Sequence, residues 1–188
     1  MPDVYDSEIP FEDIRLKTNR FCFTGGMNNR NWKLVAQIAK ELKNLKFICV
    51  ALKADFESQV NDIPSNLKVY YNIPSEQYYD LMRNSYLVLL PLLDNRVAGF
   101  INIIRAAQYG VPCMTTKTLS TEQYYTEDLD LLMPNDQMSV WVGNIKKWYQ
   151  YGDDEYMKNT KYFYDYIESN FSPQNAARKI MKLIKEFD

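Results

Sequence analysis

The stretch at residues 69–116, VYYNIPSEQYYDLMRNSYLVLLPLLDNRVAGFINIIRAAQYGVPCMTT, decides the fold. Its centre, YLVLLPLL at 86–93, is the most apolar run of the chain and reads as a strand buried on both faces. Just before it, NLKVYY at 66–71 is a second strand, and Pro74-Ser75-Glu76 opens a short helix, with proline where the first helical turn tolerates it. After it, Gly99 precedes a helix over 100–109 that Gly110-Val111-Pro112 stops, and VPCMTT at 111–116 returns to strand. Apolar strands alternating with helices signal a parallel sheet covered on both faces.

The alternation continues outward. Upstream, RFCFT at 20–24 ends in Gly25-Gly26, and a helix follows over 32–43, where Leu34, Ile38 and Leu42 share a row with Val35 and Ala39 beside it. KFICVAL at 46–52 is a further strand. Downstream come the strand DLLM at 130–133 and helices near 136–150, 154–169 and 173–187. The prediction is an α/β fold: a doubly wound, mostly parallel, Rossmann-like sheet with helices on both faces. The domain spans 20–150, the helices of 151–188 pack on it, and 1–19 form a linker or irregular arm. In the tail the aromatics fall at helical spacings and read as core and docking surface.

Composition narrows the function. There are 22 Lys+Arg against 24 Asp+Glu, so no basic excess points to a nucleic-acid partner. Histidine is absent, which excludes Ser-His-Asp and Cys-His nucleophilic sites and His-bearing zinc sites within the chain. Cys22, Cys49 and Cys113 each lie inside an apolar β-type run, at spacings that match no metal or redox pattern; they read as buried small hydrophobes. The first residues lack the basic and apolar regions of a signal peptide. The run at 86–93 is far shorter than the ~20 residues needed to span a bilayer. A cytoplasmic location is expected, with no metal and no cofactor.

In a doubly wound sheet, ligands bind outside the carboxyl ends of the strands where the strand order reverses. Three loops there are candidates. The first, residues 24–31, has Gly25 and Gly26, which allow close backbone approach, then Arg30 and Asn31 at a helix start whose free N–H groups favour phosphate. The plainer alternative is an ordinary strand-to-helix turn with a solvated arginine. The second, residues 94–102, again sets glycine and small residues before a helix, in which Asn102 and Arg105 share a face. An arginine among Ile103, Ile104, Ala106 and Ala107 needs a partner or a ligand, or else snorkels to water. The third has Thr115 and Thr116, which bind a ligand or only cap the next helix, with Glu122, Tyr124 and Tyr125 beyond them.

The order of these signals, from the glycine loop with Arg30-Asn31 through residues 69–112 to Asn170-Phe171-Ser172-Pro173, resembles the C-terminal, donor-binding domain of GT-B fold glycosyltransferases of the group 1, GT4 type. The resemblance covers nearly the whole chain from Arg20. It implies that Gly25, Gly26, Arg30 and Asn31 contact the diphosphate of a nucleotide-sugar donor. Ala98, Gly99, Phe100, Ile101 and Asn102 would serve its phosphates and sugar, while Tyr71, Asn72 and Ile73 border the nucleobase. At two positions where the family carries glutamates, this chain has Val97 and Arg105; a guanidinium accepts no hydrogen bond from a ribose. Asp94 is the acidic residue nearest to them.

The function implied is the donor-binding half of a glycosyltransferase. Its N-terminal, acceptor-binding domain or subunit is missing from this chain, which alone is expected to be inactive. The alternative is a non-catalytic nucleotide-binding module or pseudo-glycosyltransferase subunit. The final helix, with Ala177, Ile180, Met181, Ile184 and Phe187 on one stripe, docks on its own sheet or on the missing half, or else lies on an anionic membrane at the inner face.

Overall fold

The computed structural model describes residues 20–135, 137–172, 177–178, 181 and 184. The arm expected at 1–19 and most of the helix expected at 173–187 lie outside the described residues. Of that helix, Ala177, Arg178, Met181 and Ile184 are helical and exposed. No described helix is long and apolar enough to cross a membrane.

Six strands form one sheet: β1 (Phe21–Gly25), β2 (Lys46–Ala51), β3 (Leu67–Tyr71), β4 (Leu87–Leu90), β5 (Cys113–Thr116) and β6 (Leu132–Met133). Every pairing is parallel, in the order β3-β2-β1-β4-β5-β6. The helices are α1 (Trp32–Glu41), α2 (Lys53–Gln59), α3 (Ser75–Arg83), α4 (Phe100–Gln108), α5 (Met138–Gln150) and α6 (Asp153–Phe171), with short 3₁₀ turns at Glu122–Tyr124 and Glu127–Leu129. The doubly wound α/β sheet expected from sequence is therefore present. Its order reverses between β1 and β4, where Cys22 pairs with Leu87 and Thr24 with Leu89.

Burial follows the patterns that predict the elements. All of β1, β4 and β5 is buried, as strands covered on both faces must be. α1 buries Leu34, Val35, Ile38 and Ala39 and packs against α2 and α5, while α4 packs against α6. One element had no sequence signal: α2 buries only Phe56, so it carries no apolar stripe.

α1 ends without glycine. Instead the Asn66 side chain, from the loop before β3, donates to the carbonyls of Ala39, Leu42 and Leu45 at 2.9, 3.0 and 2.8 Å. It thereby serves the Ala39 carbonyl, in the last turn that a helix end leaves without intrahelical partners, and joins Leu45 N–H on the Leu42 carbonyl. Asn66→Ala is expected to cost about 2 kcal/mol, because three part-buried bonds lose their shared donor. A thermal melt should show the midpoint lower by about 4–8 °C; an unchanged melt would show that water replaces the amide at no cost.

Candidate functional site

At the reversal of strand order, a cavity of about 590 Å³ opens beyond the carboxyl ends of β1, β2 and β4. Its walls come from the loop after β1, the turn after β2, the start of α3 and the start of α4. Among the described residues lining it, Arg30 is the only charged one.

Backbone pairing across the reversal sets the first wall. Asn31 N–H donates to Pro91 O at 2.9 Å, Leu93 N–H donates to Asn29 O at 3.2 Å, and Arg30 bridges to Leu92. The loop after β1 is thus stitched to the segment leaving β4. The Arg30 side chain turns inward: it is 4% exposed, and its Nε and Nη1 donate to Gly25 O at 3.0 Å and Asn28 O at 2.7 Å. Only glycine fits beneath it. Gly26 has φ +139°, and a Cβ there would lie 2.5 Å from Arg30 Nη2.

Among the described residues no carboxylate forms an ion pair with Arg30. Burial pulls its pKa below the ordinary arginine value, an effect partly opposed by Tyr78, Cys113 and Asp55. A guanidinium nevertheless stays charged, and its hydrogen-bond partners among the described residues are two neutral carbonyls, with the Asp55 carboxylate acting only through space.

The second wall is the start of α4. Gly99, in the left-handed region at φ +88°, precedes it with no side-chain cap. The first amide of the helix to bond is that of Asn102, to Gly99 O at 3.0 Å. Among the described residues, nothing accepts from the amides of Phe100 and Ile101. Open N–H groups at a helix start carry a positive partial charge and suit an anion. The Phe100 ring stacks on Tyr124 with centroids 5.1 Å apart, holding this helix start against the body of the domain.

α1 differs from the open terminus expected. Its Trp32 N–H donates to Gln59 Oε1 at 3.0 Å and its Leu34 N–H to Asn31 Oδ1 at 3.0 Å. Gln59 arrives from α2, the helix without a sequence signal. Asn31 therefore caps α1 and does not line the cavity.

The other expected residues divide the same way. Gly26, Arg30, Asn72, Ile73, Ala98, Gly99, Phe100, Ile101 and Asn102 all line the cavity. Gly25 sits behind it, its carbonyl shared by Arg30 and Asn102 Nδ2. Tyr71 lies outside, edge-on to Phe56. Arg105 does not line the cavity either; its guanidinium lies 5.5 Å above the ring of Tyr79, which does. Val97 is at the rim and 77% exposed.

Asp94 is also absent from the walls. Hydrogen bonds from the side chain and backbone of Arg96 hold its carboxyl below the usual carboxylate range. The threonines of β5 are spent inside the sheet: Thr115 donates to Leu90 O and Thr116 accepts from Leu92 N–H. Among the lining residues not singled out from sequence are Tyr78 and Tyr79 of α3. Their only sequence signal is a tyrosine pair at the start of a helix that faces the reversal point. Burial pushes the Tyr78 phenol pKa up, so it stays protonated at neutral pH. Among the described residues no group of three His, Cys, Asp or Glu is placed to hold a metal ion.

No family model matches the sequence, and no curated protein matches it. Solved structures do match. A glycosyltransferase from Rickettsia africae ESF-5 superposes with a TM-score of 0.70 at 14% identity, covering 90% of this chain and 48% of that one. HepE of Anabaena, solved with UDP-glucose, gives 0.69 at 13% identity over 89% of this chain and 49% of its own. TarM of S. aureus, solved with UDP, gives 0.67 at 12% over 91% and 37%. The likeness is one of fold. The chain has the fold of part of a GT-B glycosyltransferase and spans half or less of the length of these proteins.

Proposed function

We propose that this chain is the donor-binding half of a group 1 (GT4-type) glycosyltransferase, holding a nucleotide-diphosphate sugar in the cavity between β1 and β4. The observation that carries this is Arg30, a buried cation with no ion-paired carboxylate among the described residues, set beside the uncapped start of α4. Both call for an anion, and a diphosphate supplies two linked ones. The nucleoside would extend toward Asn72 and Ile73. The sugar would lie near Ala98 and Gly99.

The chemistry is then mainly positioning and electrostatic stabilisation. As the bond from the sugar's anomeric carbon to the phosphate oxygen breaks, its electron pair stays on the diphosphate. Arg30 and the amides of Phe100 and Ile101 stabilise that charge. The acceptor, and any base that activates it, would come from a second domain or subunit. The chain alone is expected to bind donor with little turnover. Binding is proposed to occur in the cytoplasm and without a metal ion; a membrane-facing role for the final helix is a further part of this reading.

The second reading, a non-catalytic nucleotide-binding module, is favoured by one observation: no acidic residue lines the cavity among the described residues, with Val97 at the rim and Arg105 outside. Calorimetric titration with UDP, GDP and their sugars tests both readings. Saturable binding of at least one nucleoside diphosphate is expected, and failure of all of them would sink both readings. Saturation-transfer NMR then separates the two. Sugar-ring protons that receive saturation support the donor-binding half; saturation confined to the nucleoside supports the module.

A further inference from the structure

The tyrosine pair of α3 adds a group that the diphosphate reading does not use. Asn102 Nδ2 donates to Gly25 O at 3.1 Å and to Tyr78 Oη at 2.8 Å. A carbonyl can only accept, so the amide nitrogen of Asn102 must face it, which settles the orientation of the amide. The two Nδ2 protons are then accounted for, and Tyr78 Oη is an acceptor in this pair. Its own proton must go elsewhere. Among the described residues nothing accepts it, and the nearest charge is Arg30, which has no lone pair to offer.

The ring is held firmly. Phe23 meets it edge-on at 5.2 Å and Tyr79 at 5.4 Å. A Cβ on Gly25 would come within 2.6 Å of it, so glycine at that position makes room for the tyrosine. Because Tyr78 lines the same cavity as Arg30, its hydroxyl proton is left for whatever fills that space.

Resting on the diphosphate reading, we infer that Tyr78 is a ligand-contacting residue, whose hydroxyl, oriented by Asn102, donates a hydrogen bond to a phosphoryl oxygen beside Arg30. The pair converts a site that attracts negative charge into one that tests for an oxygen at a set place. The binding partner it selects is a nucleoside diphosphate, as against a nucleoside or a diffuse anion.

The test uses the full chain with UDP and GDP, each beside its nucleoside, by calorimetry. Tyr78→Phe keeps the ring and removes the donor. Diphosphate affinity should fall about tenfold, the size of one lost hydrogen bond to a charged group, while nucleoside affinity holds. Asn102→Ala leaves the hydroxyl free to turn away and should lose a similar factor. The double variant should lose no more than the larger single loss, because the two act as a unit.

Unchanged diphosphate affinity in Tyr78→Phe would overturn this inference and leave the diphosphate reading standing. Equal losses for diphosphate and nucleoside, or strictly additive losses in the double variant, would overturn it as well. Failure of the wild-type chain to bind either diphosphate would remove both. If Tyr78→Phe does not fold, the Asn102→Ala comparison of diphosphate with nucleoside decides alone.

Discussion

Arg30→Ala should lower nucleoside-diphosphate affinity by about 100-fold, close to 3 kcal/mol, while the ligand-free chain melts no lower than the wild type. The first expectation follows from burial. A charged donor removed from a water-poor site typically costs 2–5 kcal/mol of binding, because the phosphate it served is left without a counter-charge. The second follows from the same burial read the other way. In the free chain Arg30 has surrendered its hydration for two neutral carbonyls, Gly25 O and Asn28 O. An unpaired buried charge destabilises the fold it sits in, and its removal offsets the loss of two hydrogen bonds. Arg30→Lys tests the geometry: an ammonium keeps the charge but lacks the planar fork that spans both carbonyls, so an intermediate loss of about tenfold is expected. Calorimetry and a melt on the same samples check all three. A variant that binds normally, or that unfolds for want of Arg30, would show the guanidinium to be a structural strut.

Trp148→Ala should cost about 3–5 kcal/mol of stability, the range for emptying a fully buried aromatic site. Trp148 is 0% exposed and joins three segments. Its ring meets Tyr151 at 5.3 Å and Tyr156 at 6.0 Å, and its carbonyl accepts from Tyr86 Oη at 3.0 Å. Tyr86 in turn stacks on Tyr156 at 4.3 Å, and Tyr156 Oη donates back to Tyr86 O at 2.8 Å. The cluster thus fastens α5 and α6 to the start of β4. Trp148 Nε1 is buried with no partner among the described residues, so Trp148→Phe loses volume but also removes a donor unsatisfied there. Its cost should be less than half that of the alanine variant. Urea denaturation, with midpoints compared at constant slope, measures both. Equal losses for the two variants would mean that the indole N–H is satisfied after all.

The difference between what was readable in the sequence and what was not follows the range of the interactions. Strands such as 87–90 announce themselves because burial on both faces demands an unbroken apolar run. α1 and α4 show a stripe for the same reason. α2 has one buried residue and leaves no period to detect. Its consequence, the closure of α1's start by Gln59, joins residues 27 apart in the chain and has no local signature. Glycine stands in both walls of the cavity, where a guanidinium lying on Gly26 and a positive φ at Gly99 each favour the residue. What a glycine cannot reveal is which side chain takes the space it leaves. At Gly25 that is Tyr78, and at Gly26 it is Arg30. Thr115 and Thr116 looked open to ligand because a hydroxyl's partner is invisible until the neighbouring strand is in place.

The reversal between β1 and β4 has a consequence in chain entropy. On one side of it, β1, β2 and β3 pair in the order in which they leave the N-terminus, each closing a modest loop. The pairing of Cys22 with Leu87 must instead draw together everything in between, and closure costs rise with the logarithm of that length. The bond from Asn102 to Gly25 O spans 77 residues along the same join. The cavity therefore sits on the strand pairing whose partners lie farthest apart along the chain. A ligand holding both banks adds its binding free energy to that closure, so occupancy and completion of the sheet are thermodynamically linked.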